Sequence, residues 1–254
     1  MLGLLVSTPG CAARRALSGV PGAWAHHPHA ELLRHAYDGA PDGFHISHAD
    51  WAALQQASGT INSRDHQIGG GAATYGELAA SGVSTLAQAL AIGSSSVFYD
   101  LGSGRGHVVL QMALASAAKQ AIGVELSTER HRIAVHARER LGASVPAVLH
   151  RTHFECADLA CVRLDDATEI FVANLLFPPE LNAAVSRQME ACAPLRRVAT
   201  LKPLSSFALP SFAFTGQLKL PFSWAERCKV YVYTRRTLRA RYTGALAVGT
   251  SVNW

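Results

Sequence analysis

An α/β fold, a Rossmann-like doubly wound parallel sheet, follows from three features of this 254-residue chain. From Val97 onward, short apolar runs alternate with segments of helical periodicity. An acid and three glycines, Asp100-Leu101-Gly102-Ser103-Gly104-Arg105-Gly106, stand between the first run and the helix after it. A second acid, Glu125, closes the second run. In such a sheet the ligand belongs at the carboxyl ends of the first strands, beside the topological switch point.

The pattern predicts strands over 97–100, 121–125, 147–150, 170–174 and 198–201, with two closing strands over 212–220 and 229–234. Helices are expected over 106–118, 127–141 and 179–192, the last with Pro179 in its first turn. Upstream, 48–54 and 84–92 read as helices. Gly69-Gly70-Gly71 reads as a flexible break. The chain divides into a short, partly disordered N-terminal extension (1–47), a helical segment that forms a cofactor lid (48–93) and the main α/β domain (94–254).

Composition narrows the class. Apolar residues make up 49% and the net charge is +5, enough for a large core and permissive of an acidic partner. The five cysteines include no Cys-x-x-Cys pair, which reads as reduced thiols inside a cell. No apolar run approaches the length of a membrane span. Residues 1–30 carry Arg14 and Arg15 but no acid, so they read as either a disordered start or an organellar transit segment. Six histidines between His26 and His48 lack the regular spacing and cysteine partners of a metal site, and no metal is expected.

The glycines set the ligand chemistry. Without a Cβ they let backbone approach a ligand closely, and the helix start supplies free N–H groups. A pyrophosphate would be repelled by Asp100, whereas S-adenosylmethionine carries an ammonium and a sulfonium and no phosphate. Glu125 is placed to accept bonds from both ribose hydroxyls; its alternative role is a helix-capping acid before Ser127. Asp158 suits the adenine amino group, with Leu159 against the ring; alternatively Asp158 caps a turn. On the acceptor side, Asn174 ends the fourth strand, where its carbonyl can orient an amine lone pair, with Phe177 in an apolar channel. The alternative for Asn174 is a turn residue. Tyr231 and Tyr233 share one strand face, and with Trp224 they offer rings to an alkylammonium or simply pack on a helix.

Thr74-Tyr75-Gly76-Glu77, the glycine turn with Val108-Val109-Leu110-Gln111, Gly123-Val124-Glu125 and Asn174-Leu175-Leu176-Phe177 occur in this order, before Lys202-Pro203, Ser223-Trp224 and Tyr231. Over about 74–235 the chain resembles the disruptor-of-telomeric-silencing family, seven-strand methyltransferases that act on a histone H3 lysine in chromatin. The resemblance implies a seven-stranded methyltransferase sheet, S-adenosylmethionine as cofactor, a histone or nucleosome as substrate, and the nucleus as location. It assigns Tyr75 and Glu77 to a loop over the methionine end. Asp100, Gly102, Gly104, Gly106, Gln111, Glu125, Asp158, Leu159 and Asn174 are the expected cofactor contacts, and Asn174, Phe177, Trp224 and Tyr231 the lysine channel. The chain departs from the family pattern at Ala173, Leu159 and Pro178.

A lysine must lose its proton to accept a methyl group, at a cost of about 4.6 kcal/mol at pH 7. No base stands beside Asn174 in sequence, so desolvation in the channel is expected to lower the lysine pKa. The basic segment Arg235-Arg236-Thr237-Leu238-Arg239-Ala240-Arg241 offers a DNA contact or a solvated surface. Two other readings stay open: a methyltransferase for a nucleic-acid or small-molecule amine, and a catalytically silent cofactor-binding scaffold.

Overall fold

The computed structural model describes residues 29–57, 76–205 and 208–236. Tyr75, the triple glycine, His26, His27 and Arg239 lie outside the described residues.

Seven strands form one sheet: β1 (Val97–Leu101), β2 (Gln120–Glu125), β3 (Thr152–Cys156), β4 (Glu169–Val172), β5 (Arg197–Thr200), β6 (Phe212–Phe222) and β7 (Ala225–Arg235). Their order is β3-β2-β1-β4-β5-β7-β6. The first five are parallel, and β7 runs antiparallel to both β5 and β6. The order reverses between β1 and β4, so the glycine turn after β1 opens onto the switch point as expected.

The helices are α1 (Ala30–Ala36), α2 (His48–Ala57), α3 (Ala80–Ala89), α4 (His107–Ala115), α5 (Thr128–Ser144), α6 (Ala147–Arg151) and α7 (Pro179–Ala191). Strand alternation sorts side chains into two cores. Phe98, Phe171, Ala199 and Val230 meet α3 and α4 in one; Tyr99, Ile170, Val198 and Tyr233 meet α7 in the other.

One expectation is corrected. Residues 147–150 form helix α6, and the third strand begins at Thr152. Three apolar residues are too few to separate strand from helix by period. Pro146 supplies a helical start, Leu149 packs over Gly142, and Thr152 Oγ1 donates to the Val148 carbonyl at 2.7 Å to close the turn. Within the extension, the described residues 29–47 include helix α1. Leu33 and Ala36 of α1 are buried in the first core, and α1 lies against α5.

β6 holds a second lesson. Phe212 joins the second core, yet Leu220 and Phe222, also even-numbered, join the first. A bulge between Phe214 and Gly216 adds Thr215 to the strand and moves later side chains to the other face. Since β5 pairs only with 231–234, the tip of the β6–β7 hairpin projects beyond the carboxyl edge of the parallel sheet.

Candidate active site

A cavity lies at that carboxyl edge. It is lined by Asp100, Gly102 and Ser103 from the glycine turn, His107 from α4, Ala173 after β4, and Glu77 and Phe222 at the hairpin tip. The three glycines of the turn adopt φ of 85°, 55° and 82°, a region costly for any side chain. At Gly106 a Cβ would also stand 2.4 Å from the Phe154 ring. The amides of Gly102 and Ser103 donate to the Val124 carbonyl and tie the turn to β2.

Asp100 is 2% exposed. Burial, reinforced by the charge of Glu125, pushes its pKa up to about 8, and among the described residues no donor offsets this. Ser103 Oγ beside it is likewise buried without a partner among the described residues. Glu125 is buried but satisfied. Oε2 accepts from Gly104 N at 2.8 Å and Oε1 from Ser127 N at 2.9 Å. A carboxylate has about four acceptor positions, so two remain.

Glu77 faces Arg105 in a two-pronged ion pair at 3.1 and 3.2 Å. Its Oε2 also lies 3.5 Å from His107 Nδ1. Burial outweighs Glu77 and, with help from Arg105, lowers the His107 pKa to about 4, so the ring is neutral at pH 7. Tyr37 stacks on His107 at 3.7 Å and donates to the Arg105 carbonyl. His107 is a lining residue that the sequence reading passed over, as are Ser103 and Phe222. The signal for His107 was its place directly after the third glycine, one turn before Gln111. Gln111 does not line the cavity; its amide is fully buried, with no partner among the described residues. Asp158 Oδ1 accepts from Ala160 N at 2.8 Å, which is the turn-capping role. Leu159 is buried in the second core.

The segment carrying Glu77 is stitched to the hairpin tip. Leu78 bridges to Phe222, Ser223 N donates to the Glu77 carbonyl, and Glu77 N donates to Ser223 Oγ. A Cβ on Gly76 would fall 2.0 Å from the Trp224 ring, so the close contact requires glycine there.

The expected lysine channel is divided. Trp224 stacks on Phe222 of the first core at 4.6 Å, whereas Phe177 and Tyr231 pack against the second. The tip of the Phe177 ring comes within 3.5 Å of where a Cβ on Gly102 would be, which brings it to the mouth of the cavity. Asn174 is 1% exposed. Its Oδ1 accepts from Leu201 N and Lys202 N, each at 2.9 Å, and its Nδ2 donates to Asn182. Both carbonyl lone pairs are taken up by these two amides, and one Nδ2 hydrogen is left over. The side chain fastens the end of β4 to the end of β5.

In the basic segment, Arg235 binds the Leu195 and Cys192 carbonyls and Arg236 binds that of Phe212. Arg235 is half-buried, whereas Arg236 is exposed. Among the described residues no His, Cys, Asp and Glu cluster is placed to hold a metal, and no helix is long and apolar enough to cross a membrane.

A family model described as histone methylation protein DOT1 matches residues 62–210, more than half of the chain. The chain belongs to the DOT1 family. Two curated relatives come from Cryptococcus neoformans var. neoformans serotype D, strains JEC21 and B-3501A; both are named histone-lysine N-methyltransferase, H3 lysine-79 specific. Each is 27% identical over 195 residues, covering 65% of this chain and 30% of the relative. The match therefore takes in less than a third of those DOT1 proteins. Among solved structures, magnesium protoporphyrin IX methyltransferase from Synechocystis PCC 6803 aligns with 81% of this chain and 96% of its own, at 17% identity and a TM-score of 0.48. TrmN from Thermus thermophilus aligns with 63% and 49%, at 22% identity and 0.48.

Proposed function

We propose that this DOT1-family chain is an S-adenosylmethionine-dependent protein-lysine N-methyltransferase acting on a histone, with H3 the first candidate and the nucleus the place of action. The observation that carries the reading is Asp100, a buried carboxyl in the cavity with no donor among the described residues. A site of this kind demands a cation. The two remaining acceptor positions of Glu125, beside the glycine turn, match a pair of ribose hydroxyls. These residues fit the methyl donor, which when bound supplies a methyl group on a sulfonium.

The chain's own residues then bind, orient and exclude water. Asp100 takes the ammonium of the donor and gives up its proton as it does so. Glu125 holds the ribose, and Phe177 shields the mouth of the cavity at Gly102. The incoming lysine loses its ammonium proton to solvent as Phe177 and Tyr231 strip its water. Asn174 acts as a positioning residue that keeps the ends of β4 and β5 together. A DNA contact by the basic segment would rest on Arg239 and Arg241, and its affinity would fall steeply with salt.

Nucleosomes, free histones, DNA and RNA, each incubated with the protein and labelled S-adenosylmethionine, test the reading. Label in histone lysine is expected, at a rate that climbs from pH 6 toward pH 9 with saturating donor. Label in nucleic acid alone would favour the nucleic-acid alternative. No label, with no donor binding by calorimetry, would overturn methyl transfer altogether.

A further inference from the structure

We infer that Asp50, on α2, is a positioning residue for the methyl-donor site and sets the carboxylate of Glu125 through Ser127. The inference rests on the reading of Glu125 as the ribose acceptor. Asp50 lies 77 positions before Ser127, outside every motif of the methyltransferase domain. It is nonetheless 8% exposed, and its Oδ2 accepts from Ser127 Oγ at 2.5 Å and Glu129 N at 2.9 Å.

Ser127 is fully buried and each of its polar atoms has a job. Its Oγ accepts from Arg130 N at 3.2 Å, as the N-cap of α5, so its hydroxyl hydrogen is left for Asp50. Its backbone N–H donates to Glu125 Oε1. One oxygen of the ribose acid is thus held by a residue whose own orientation Asp50 fixes. A serine alone suffices as an N-cap, so helix capping does not by itself require a second, buried carboxylate with its desolvation cost. The surrounding chain holds Asp50 in place. Ser47 N donates to Glu129 Oε2 at 3.0 Å, and Arg130 Nε donates to the Gly43 carbonyl at 2.9 Å. Burial draws the Asp50 pKa up, but the bonds from Glu129, Ser127 and Thr128 prevail and keep it below the usual carboxylate range, so it is charged at neutral pH.

A double-mutant cycle tests this with S-adenosylhomocysteine as the probe. Its Kd is measured by calorimetry for the full chain, Asp50→Ala, Glu125→Gln and the double variant, with melting temperatures recorded in parallel. Asp50→Ala is expected to weaken binding about tenfold with Glu125 present, and less than about twofold with Gln in its place. Asp50→Asn keeps an acceptor for the Ser127 hydroxyl and is expected to restore Kd to within about threefold. An unchanged Kd with a lowered melting temperature, or equal losses in both backgrounds, would overturn the inference and leave Asp50 as a fold anchor. If Asp50→Ala does not fold, Ser127→Gly removes the intermediate hydroxyl at a tolerated capping position and is read in the same cycle. A full chain that does not bind the probe at all would overturn the methyl-donor reading itself, and this inference with it.

Discussion

The two sides of the site differ in how their polar groups are satisfied. On the donor side, Asp100 and Ser103 are buried and lack partners among the described residues, and Glu125 keeps acceptor positions in reserve. On the acceptor side, Asn174, the polar residue expected to meet the substrate, has its carbonyl oxygen filled by two backbone amides and donates to Asn182. Unmet demand in a low-dielectric setting marks where a ligand completes the structure. Satisfied groups mark where the protein has already completed itself. In the function proposed above, donor recognition rests on these buried polar groups, and the acceptor meets shape and apolar cover from Phe177 and Tyr231.

Asp100→Asn probes the contrast most strongly. It is expected to weaken S-adenosylmethionine about 10- to 100-fold, by loss of a charged contact. The empty protein should behave in the opposite sense. Native Asp100 holds its proton up to about pH 8, while the unfolded chain releases it near pH 4. The unfolded state then binds fewer protons, so stability falls as pH rises from about 4 to about 8. Thermal melts across that range should slope less steeply in Asp100→Asn. The same titration predicts proton release on donor binding near pH 7, visible when calorimetry is repeated in buffers of different ionisation enthalpy. No release would break the assignment of Asp100 to the ammonium.

Asn174→Ala follows in size. It strands the Leu201 and Lys202 amides and is expected to cost about 1–3 kcal/mol of stability by denaturant unfolding. Its effect on donor Kd should be small beside that of Asp100→Asn; a large loss of donor binding at full stability would return Asn174 to direct contact. Gly76→Ala should displace the Trp224 ring, at about 1–3 kcal/mol, and Trp224→Ala should relieve it. Phe214→Ser is expected to do least, within about 0.5 kcal/mol, because the ring is 58% exposed. A larger loss of histone methylation than of stability there would enlarge the acceptor surface to β6.

Much of the donor side was legible in the sequence. Strand, acid, glycine turn and second acid are local signals, and each reaches the place its spacing implied. Asp50 and Tyr37 were not legible, because they reach α5 and the glycine turn across long separations that no period records. Glu77 lines the cavity, but its pairing with Arg105 depends on how residues 76–78 dock against the hairpin tip. The division of Trp224 from Tyr231 was hidden for a different reason. Which core a hairpin residue faces depends on strand registers and bulges that the sequence motif does not display.

The extra residue at Thr215 has a consequence for how this hairpin can change over time. It acts as a parity switch: one strand serves two cores only because its count is odd by one at that point. Loss of Thr215 alone would turn either Phe212 and Phe214 or Leu218, Leu220 and Phe222 to the wrong side. Changes of length between 212 and 222 should therefore be tolerated in twos.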